Sequence, residues 1–257
     1  MPANALPPRF RFALLLMLAT AFPAVGRPDT NQIYYRYAEK CFSLSQSNLL
    51  TNKKDSAAAN RLARACFEYA DLATNDTQRA EIAQIGITTA RQVLGREPKS
   101  ANGHYLLAMN LGELAQAEAP SIAAYKLVHE VEHEFKQAAE LDDTIDFAGP
   151  ARTLGLLYFQ APGWPLSVGN KHKARQWLER AAAAAPEFPE NQLNLAEAYL
   201  KWRLKDETAK VLAKTEAIWP VAKTNFVGEA HARDWRDWEL RRQSLRAEFQ
   251  RIYKTLP

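Results

Sequence analysis

Two histidines with a carboxylate between them are the first residues whose types and spacing could do chemistry. His129-Glu130-Val131-Glu132-His133 fits the pattern H-E-x-x-H. On a helix that spacing sets two imidazoles on one face for zinc, with the first glutamate as general base. Helical angles point the motif outward. At about 100° per residue, Ala124, Val128, Val131, Phe135 and Ala138 form an apolar stripe about 80° wide. His129 and His133 stand about 140° and 180° from its centre and are expected to face water. Glu132 also occupies a position that zinc peptidases usually leave uncharged, and no third ligand stands out. A zinc-dependent hydrolase using His129, Glu130 and His133 is therefore the alternative. The leading expectation has no catalytic residue, no metal and no cofactor.

Other reactive groups are sparse. The chain has two cysteines, Cys41 and Cys66, placed evenly about the polar stretch Thr51-Asn52-Lys53-Lys54-Asp55. If that stretch joins two antiparallel helices, the thiols come level and a Cys41–Cys66 disulfide is expected, worth about 3 kcal/mol. Two separately buried thiols are the other reading. No C-x-x-C, phosphate-binding glycine loop or G-x-S-x-G is present. Asp142, Asp143 and Asp146 make an acidic turn without a calcium-loop pattern, and His104, His172 and His231 are isolated.

The elements that would carry these groups read as helices. The 257 residues are 47% hydrophobic and 24% charged, with 10 glycines and no valine-, isoleucine- and threonine-rich runs, so sheet folds are disfavoured. Residues 1–26 read as a cleaved export signal: Arg9 and Arg11, the apolar run Phe12–Phe22, then Ala24-Val25-Gly26. About 11 apolar residues fall short of the ~20 that span a bilayer. No cysteine lies near the cut for a lipid anchor, so the protein is expected in the periplasm without a membrane span. Loss of Arg9 and Arg11 lowers the net charge from +4 to +2, with 31 basic against 29 acidic residues. Basic and acidic residues alternate, and no nucleic-acid partner is expected.

Helices are expected near 31–48, 56–73, 77–95, 101–117, 121–141, 148–160, 171–185, 190–203, 206–218 and 229–254. A period of 34 runs through them. Pro186 and Pro220 each close a stretch, preceded by Ala174-x3-Leu178-x2-Ala181 and Thr208-x3-Leu212-x2-Thr215. Leu154-Gly155-x2-Tyr158 and Leu195-Ala196-x2-Tyr199 stand before them. Gly86-x3-Ala90-x2-Val93 and Leu107-Ala108-x2-Leu111 fit less well. The pattern resembles the tetratricopeptide repeat (TPR), in which small residues let paired helices approach and proline stops the second. The expected fold is all-α, an alpha-alpha superhelix over residues 27–257 as one domain. A C-terminal capping helix would bury Trp235, Trp238, Leu245, Phe249 and Ile252.

From Phe135 to Pro220 the chain also resembles the T-component family of tripartite ATP-independent periplasmic (TRAP) transporters. The residues that carry this are Phe147-Ala148-Gly149-Pro150-x-Arg152-x-Leu154-Gly155-x2-Tyr158, the loop Ala161–Gly169, and Pro189-Glu190-Asn191-x4-Ala196-Glu197-Ala198-Tyr199. The resemblance implies a non-enzymatic periplasmic TPR protein that associates with the transporter's solute-binding subunit. It also implies a concave groove lined by first helices, at Tyr105, Met109, Arg152, Leu156, Phe159, Leu193, Glu197 and Leu200. Within the loop, Trp164 either packs on a neighbouring unit or offers an aromatic contact to a partner. The expected function is a scaffold that binds a partner protein. A carrier of a small hydrophobic ligand in the groove is a further alternative, and self-association is open.

Overall fold

Short polar side chains decide where several helices begin. The Asp55 carboxylate accepts from the Ala57 N–H at 2.8 Å, Asn75 from Gln78 at 2.8 Å, and Asn170 from Lys173 at 2.9 Å. Ser100 and Ser121 do the same for Gly103 and Ala124. Each satisfies an amide that the first helical turn would leave orphaned. The computed structural model describes residues 28–255; the expected export segment lies outside them. Among the described residues the fold is all-α, with ten helices and no strand: α1 (Pro28–Thr51), α2 (Ser56–Asp71), α3 (Asp76–Arg96), α4 (Ala101–Ala117), α5 (Ile122–Leu141), α6 (Ile145–Gln160), α7 (Lys171–Ala184), α8 (Pro189–Lys201), α9 (Lys205–Asn225) and α10 (Glu229–Tyr253). None is long and apolar enough to cross a membrane.

The contacts divide into two compact units. The N-terminal unit holds the described residues up to Asp142, with Gln160–Val168. In it α1 packs on α2, α2 on α3 and α4, α3 on α4, and α4 on α5. Its seams are made largely of small residues: Ala59, Ala63, Ala70, Ala83, Ala90 and Ala108 are buried without residual surface. At Gly86 a Cβ would lie 2.0 Å from the Asn110 Oδ1. The Asn110 amide meanwhile donates to the carbonyls of Ala63 and Leu106 at 2.9 and 2.8 Å. Glycine at position 86 is thus what lets α3 close on α4.

The C-terminal unit holds Asp143–Phe159 and the described residues from Gly169 onward. There α7 packs on α8, α8 on α9, and α10 on both α8 and α9. A Cβ at Gly155 would meet the Leu178 backbone nitrogen at 2.9 Å, so α6 and α7 use the same small-residue approach. The core itself is aromatic. Phe188 meets Phe226 at 5.3 Å and Trp238 at 5.4 Å, both edge-on, and Trp219 meets Trp235 at 5.4 Å. As expected, α10 buries Trp238, Leu245 and Phe249, with Trp235 and Ile252 against the same core.

One local expectation fails. Pro220 does not end its helix: α9 continues to Asn225, with Trp219 and Ala222 buried on either side of the proline. Burial of that face keeps the helix going where the pyrrolidine alone would stop it. The regular part of α6 begins near the expected residue 148, but a turn precedes it that the sequence did not signal. Asp146, Phe147 and Ala148 have φ of 52°, 55° and 62° and form a left-handed turn before the helix proper. For non-glycine residues each such conformation costs about 1–2 kcal/mol, so something must hold it.

Candidate functional site

The expected groove residues were placed on first helices, and the structure puts most of them inside. Tyr105, Met109 and Leu193 have no exposed surface, and Arg152, Leu156 and Leu200 are also buried. The Tyr105 ring lies 5.9 Å from that of Phe135 on the paired helix. Phe159 is half-buried and Glu197 exposed. The Glu197 carboxylate accepts from Arg241 on α10 at 3.1 Å. The groove geometry that the resemblance implies could not tell which of these faces another helix already fills.

Arg152 is the clearest correction. Its guanidinium donates to the carbonyls of Asp146 and Phe147 at 3.2 and 3.0 Å, and to the Asn191 Oδ1 at 3.2 Å. The Asp146 carboxylate lies 3.4 Å away, and the Phe188 ring 5.0 Å below. Asn191 in turn donates to the carbonyls of Phe147, Ala181 and Ala185. Together these two side chains hold the left-handed turn: Arg152 donates to two of its carbonyls, and Asn191 ties it to the end of α7. Arg152 is a structural clamp, buried away from any partner.

The histidine motif lies as the angles demanded. Val128, Val131 and Phe135 are buried, whereas His129 and His133 are exposed. Glu130 accepts from Arg91 at 2.7 Å and Glu132 from Lys136 at 2.6 Å, so both carboxylates are engaged in surface ion pairs. Among the described residues no group of three or more potential metal ligands converges.

The cysteines are free thiols in the structure, against the expected Cys41–Cys66 bond. The face of α1 that packs with Cys66 and its neighbours carries Tyr35, Ala38, Phe42 and Leu49. Cys41 stands about 90° around the helix from that stripe. Equal distance from a turn sets height, not azimuth. Burial pushes the Cys66 thiol up to about 12 and raises Cys41 above its ordinary value as well, so neither is an activated nucleophile.

One buried acid was not anticipated. Glu113 on α4 sits 3.4 Å from Arg79 of α3. Burial first, and then the charge of Asp71, push its carboxyl up to about 8 despite the arginine. Nothing in the sequence marks it, because its position on α4 has the same local pattern as exposed glutamates.

Residues 29–148 match the family model described as regulator of microtubule dynamics protein 1-3. That span is just under half of the chain. No curated protein matches. Among solved structures, the chain is similar to a thermophilic TPR protein of Thermus thermophilus, at 19% identity and a TM-score of 0.57, covering 84% of this chain and 98% of that one. It also aligns with yeast Tom70 at 11% identity and a TM-score of 0.30, over 95% of this chain and 72% of that one. The Thermus likeness supports the TPR-like fold.

The TRAP T-component resemblance is overturned: the family model that matches is a different one, and nothing in these likenesses points to that transporter. The physical reason lies in what the quoted residues do. Leu154, Gly155, Ala196 and Tyr199 pack helix pairs, and Asn191 and Arg152 hold a turn. Such positions report a way of folding, not a partner.

Two features remain open to solvent. On the loop between α6 and α7, Trp164 is 89% exposed and Leu166 60%. The Leu166 and Ser167 amides donate back to the Gly163 carbonyl, which folds the segment on itself and leaves the indole outside. On α3, Ala80, Gln84, Ile85 and Thr88, with Leu114 of α4, line an open cavity of about 610 Å³.

Proposed function

We propose that this protein is a non-catalytic helical-repeat scaffold that captures a partner protein, with the Trp164 loop as one contact. The observation that carries the reading is the indole left in water. A tryptophan with 89% of its surface exposed forgoes about 1.5–3 kcal/mol that burial would return, and docking recovers it. The TPR-like fold supports a role in protein contact, and so does the match of residues 29–148 to a family model named for regulation rather than for a reaction. The export segment read in residues 1–26 supports a periplasmic location, which fractionation and N-terminal sequencing of the mature chain test. No part of the reading depends on a transporter.

A photo-activated cross-linker at position 166, with and without Trp164→Ala, tests the contact. The expected result is a discrete cross-linked partner in native extract, reduced about tenfold by Trp164→Ala at unchanged melting temperature. Equal cross-linking with and without the indole would remove the loop from consideration.

A further inference from the structure

Four helix ends of the C-terminal unit meet at one edge: the last turns of α6 and α8 and the first turns of α7 and α9. They bring together rings and cations. Phe159 and Trp202 meet edge-on at 5.6 Å. The Lys201 ammonium lies 5.0 Å from the Phe159 centroid and the Lys171 ammonium 5.5 Å from that of Trp202. Arg203, in the turn after α8, is exposed beside them.

The way these cations are held sets the edge apart. Many exposed cations of this chain are neutralised by carboxylates, as in Arg91–Glu130, Arg180–Asp143 and Arg246–Glu216. At this edge Arg175 already takes up Glu179 and Glu207. Lys171, Lys201 and Arg203 have no carboxylate within ion-pair distance among the described residues. A ring beneath an ammonium fixes its position and removes part of its water without cancelling its charge. The result is positive charge that is placed but not spent.

We propose that this edge docks an acidic peptide segment of a partner protein, whose carboxylates pair with Lys171, Lys201 and Arg203. The ring separations put the two ammonium groups no more than about 16 Å apart, a span that about five residues of extended chain cover. Single-stranded nucleic acid is disfavoured because its bases need open ring faces to stack on, and these faces carry amines. A lipid surface is disfavoured because Phe159 and Trp202 are half-buried and offer no wedge to insert. This surface is separate from the Trp164 contact and does not rest on it.

The test is fluorescence anisotropy of a labelled twelve-residue peptide of aspartate, glutamate and serine, titrated with the full chain. Binding is expected at low salt and is weakened about tenfold by the double change Lys171→Glu and Lys201→Glu. The pair Lys171→Gln and Lys201→Gln, which removes charge without reversing it, weakens it about threefold and guards against misfolding, with circular dichroism unchanged. Lys99→Glu with Lys126→Glu, on the N-terminal unit, leaves binding within about twofold. Trp164→Ala also leaves it unchanged, so loss of one contact is distinguishable from loss of the other. Absence of peptide binding, equal loss with the control pair, or capture of an oligonucleotide or anionic vesicles in place of the peptide through Lys171 and Lys201 would overturn the proposal.

Discussion

Both units bury a charged side chain, and they treat it in opposite ways. In the N-terminal unit Glu113 is buried with Arg79 at 3.4 Å, and its environment favours the neutral acid. In the C-terminal unit Arg152 is surrounded by two carbonyls, a carboxylate, an amide oxygen and a ring face. The units also start their helices differently. Side-chain caps open α2 to α5, whereas in the C-terminal unit Asn170 caps α7 but α8, α9 and α10 have none. The N-terminal helices are specified locally and pack through close backbone approach. The C-terminal helices lean on aromatic contacts and on the Arg152–Asn191 clamp. The lesson is that two stretches of similar helical sequence reach the same architecture by different physical means.

The comparison can be broken most severely at Arg152. Arg152→Met leaves the Asn191 Oδ1, the Asp146 carbonyl and the Asp146 carboxylate without this donor, so a loss of about 3–5 kcal/mol is expected, read by urea denaturation. Hydrogen exchange should rise first in α6 and α8. A loss below about 1 kcal/mol would mean that the turn holds itself. Gly86→Ala attacks the other unit's device by driving a Cβ into Asn110, and about 1–3 kcal/mol is expected.

Glu113 sharpens the contrast through pH. Its carboxyl titrates near 8 in the fold against an ordinary value of 4.5. Between these values the unfolded chain has lost the proton and the folded chain still binds it. Stability from this group therefore falls as pH rises from about 4.5 to about 8. Glu113→Gln should flatten that dependence and raise the melting temperature at pH 9 relative to the unaltered chain; an unchanged pH profile would show the carboxylate to be ionised by its arginine. The smallest effect is expected at a cap. Asn75→Ala should cost about 1 kcal/mol, visible in thermal melts as a shift of a few degrees.

Much of the fold was legible along the chain. Apolar spacing located ten helices, and α4 at 101–117 matched to the residue, because Ser100 and the run after it act through neighbours within one turn. The outward aim of His129 and His133 was equally readable, since a helix's own period sets azimuth. Arg152 was read as a binding residue because the family resemblance puts its position on the groove face of a first helix. Only the return of Asn191, 39 residues later, turned it into a clamp. The Cys41–Cys66 bond failed for a related reason: the packing of α1 through Ala38 and Phe42 set the direction in which Cys41 points.

By itself the sequence determined what acts over one or two turns: where helices begin, which face is apolar, and where small residues permit contact. Tertiary structure alone decided which inward faces are filled, which charges are neutralised, and that Lys171 and Lys201 rest on rings. Those outcomes depend on partners dozens of residues away, whose approach is governed by the packing of whole helices rather than by any local pattern.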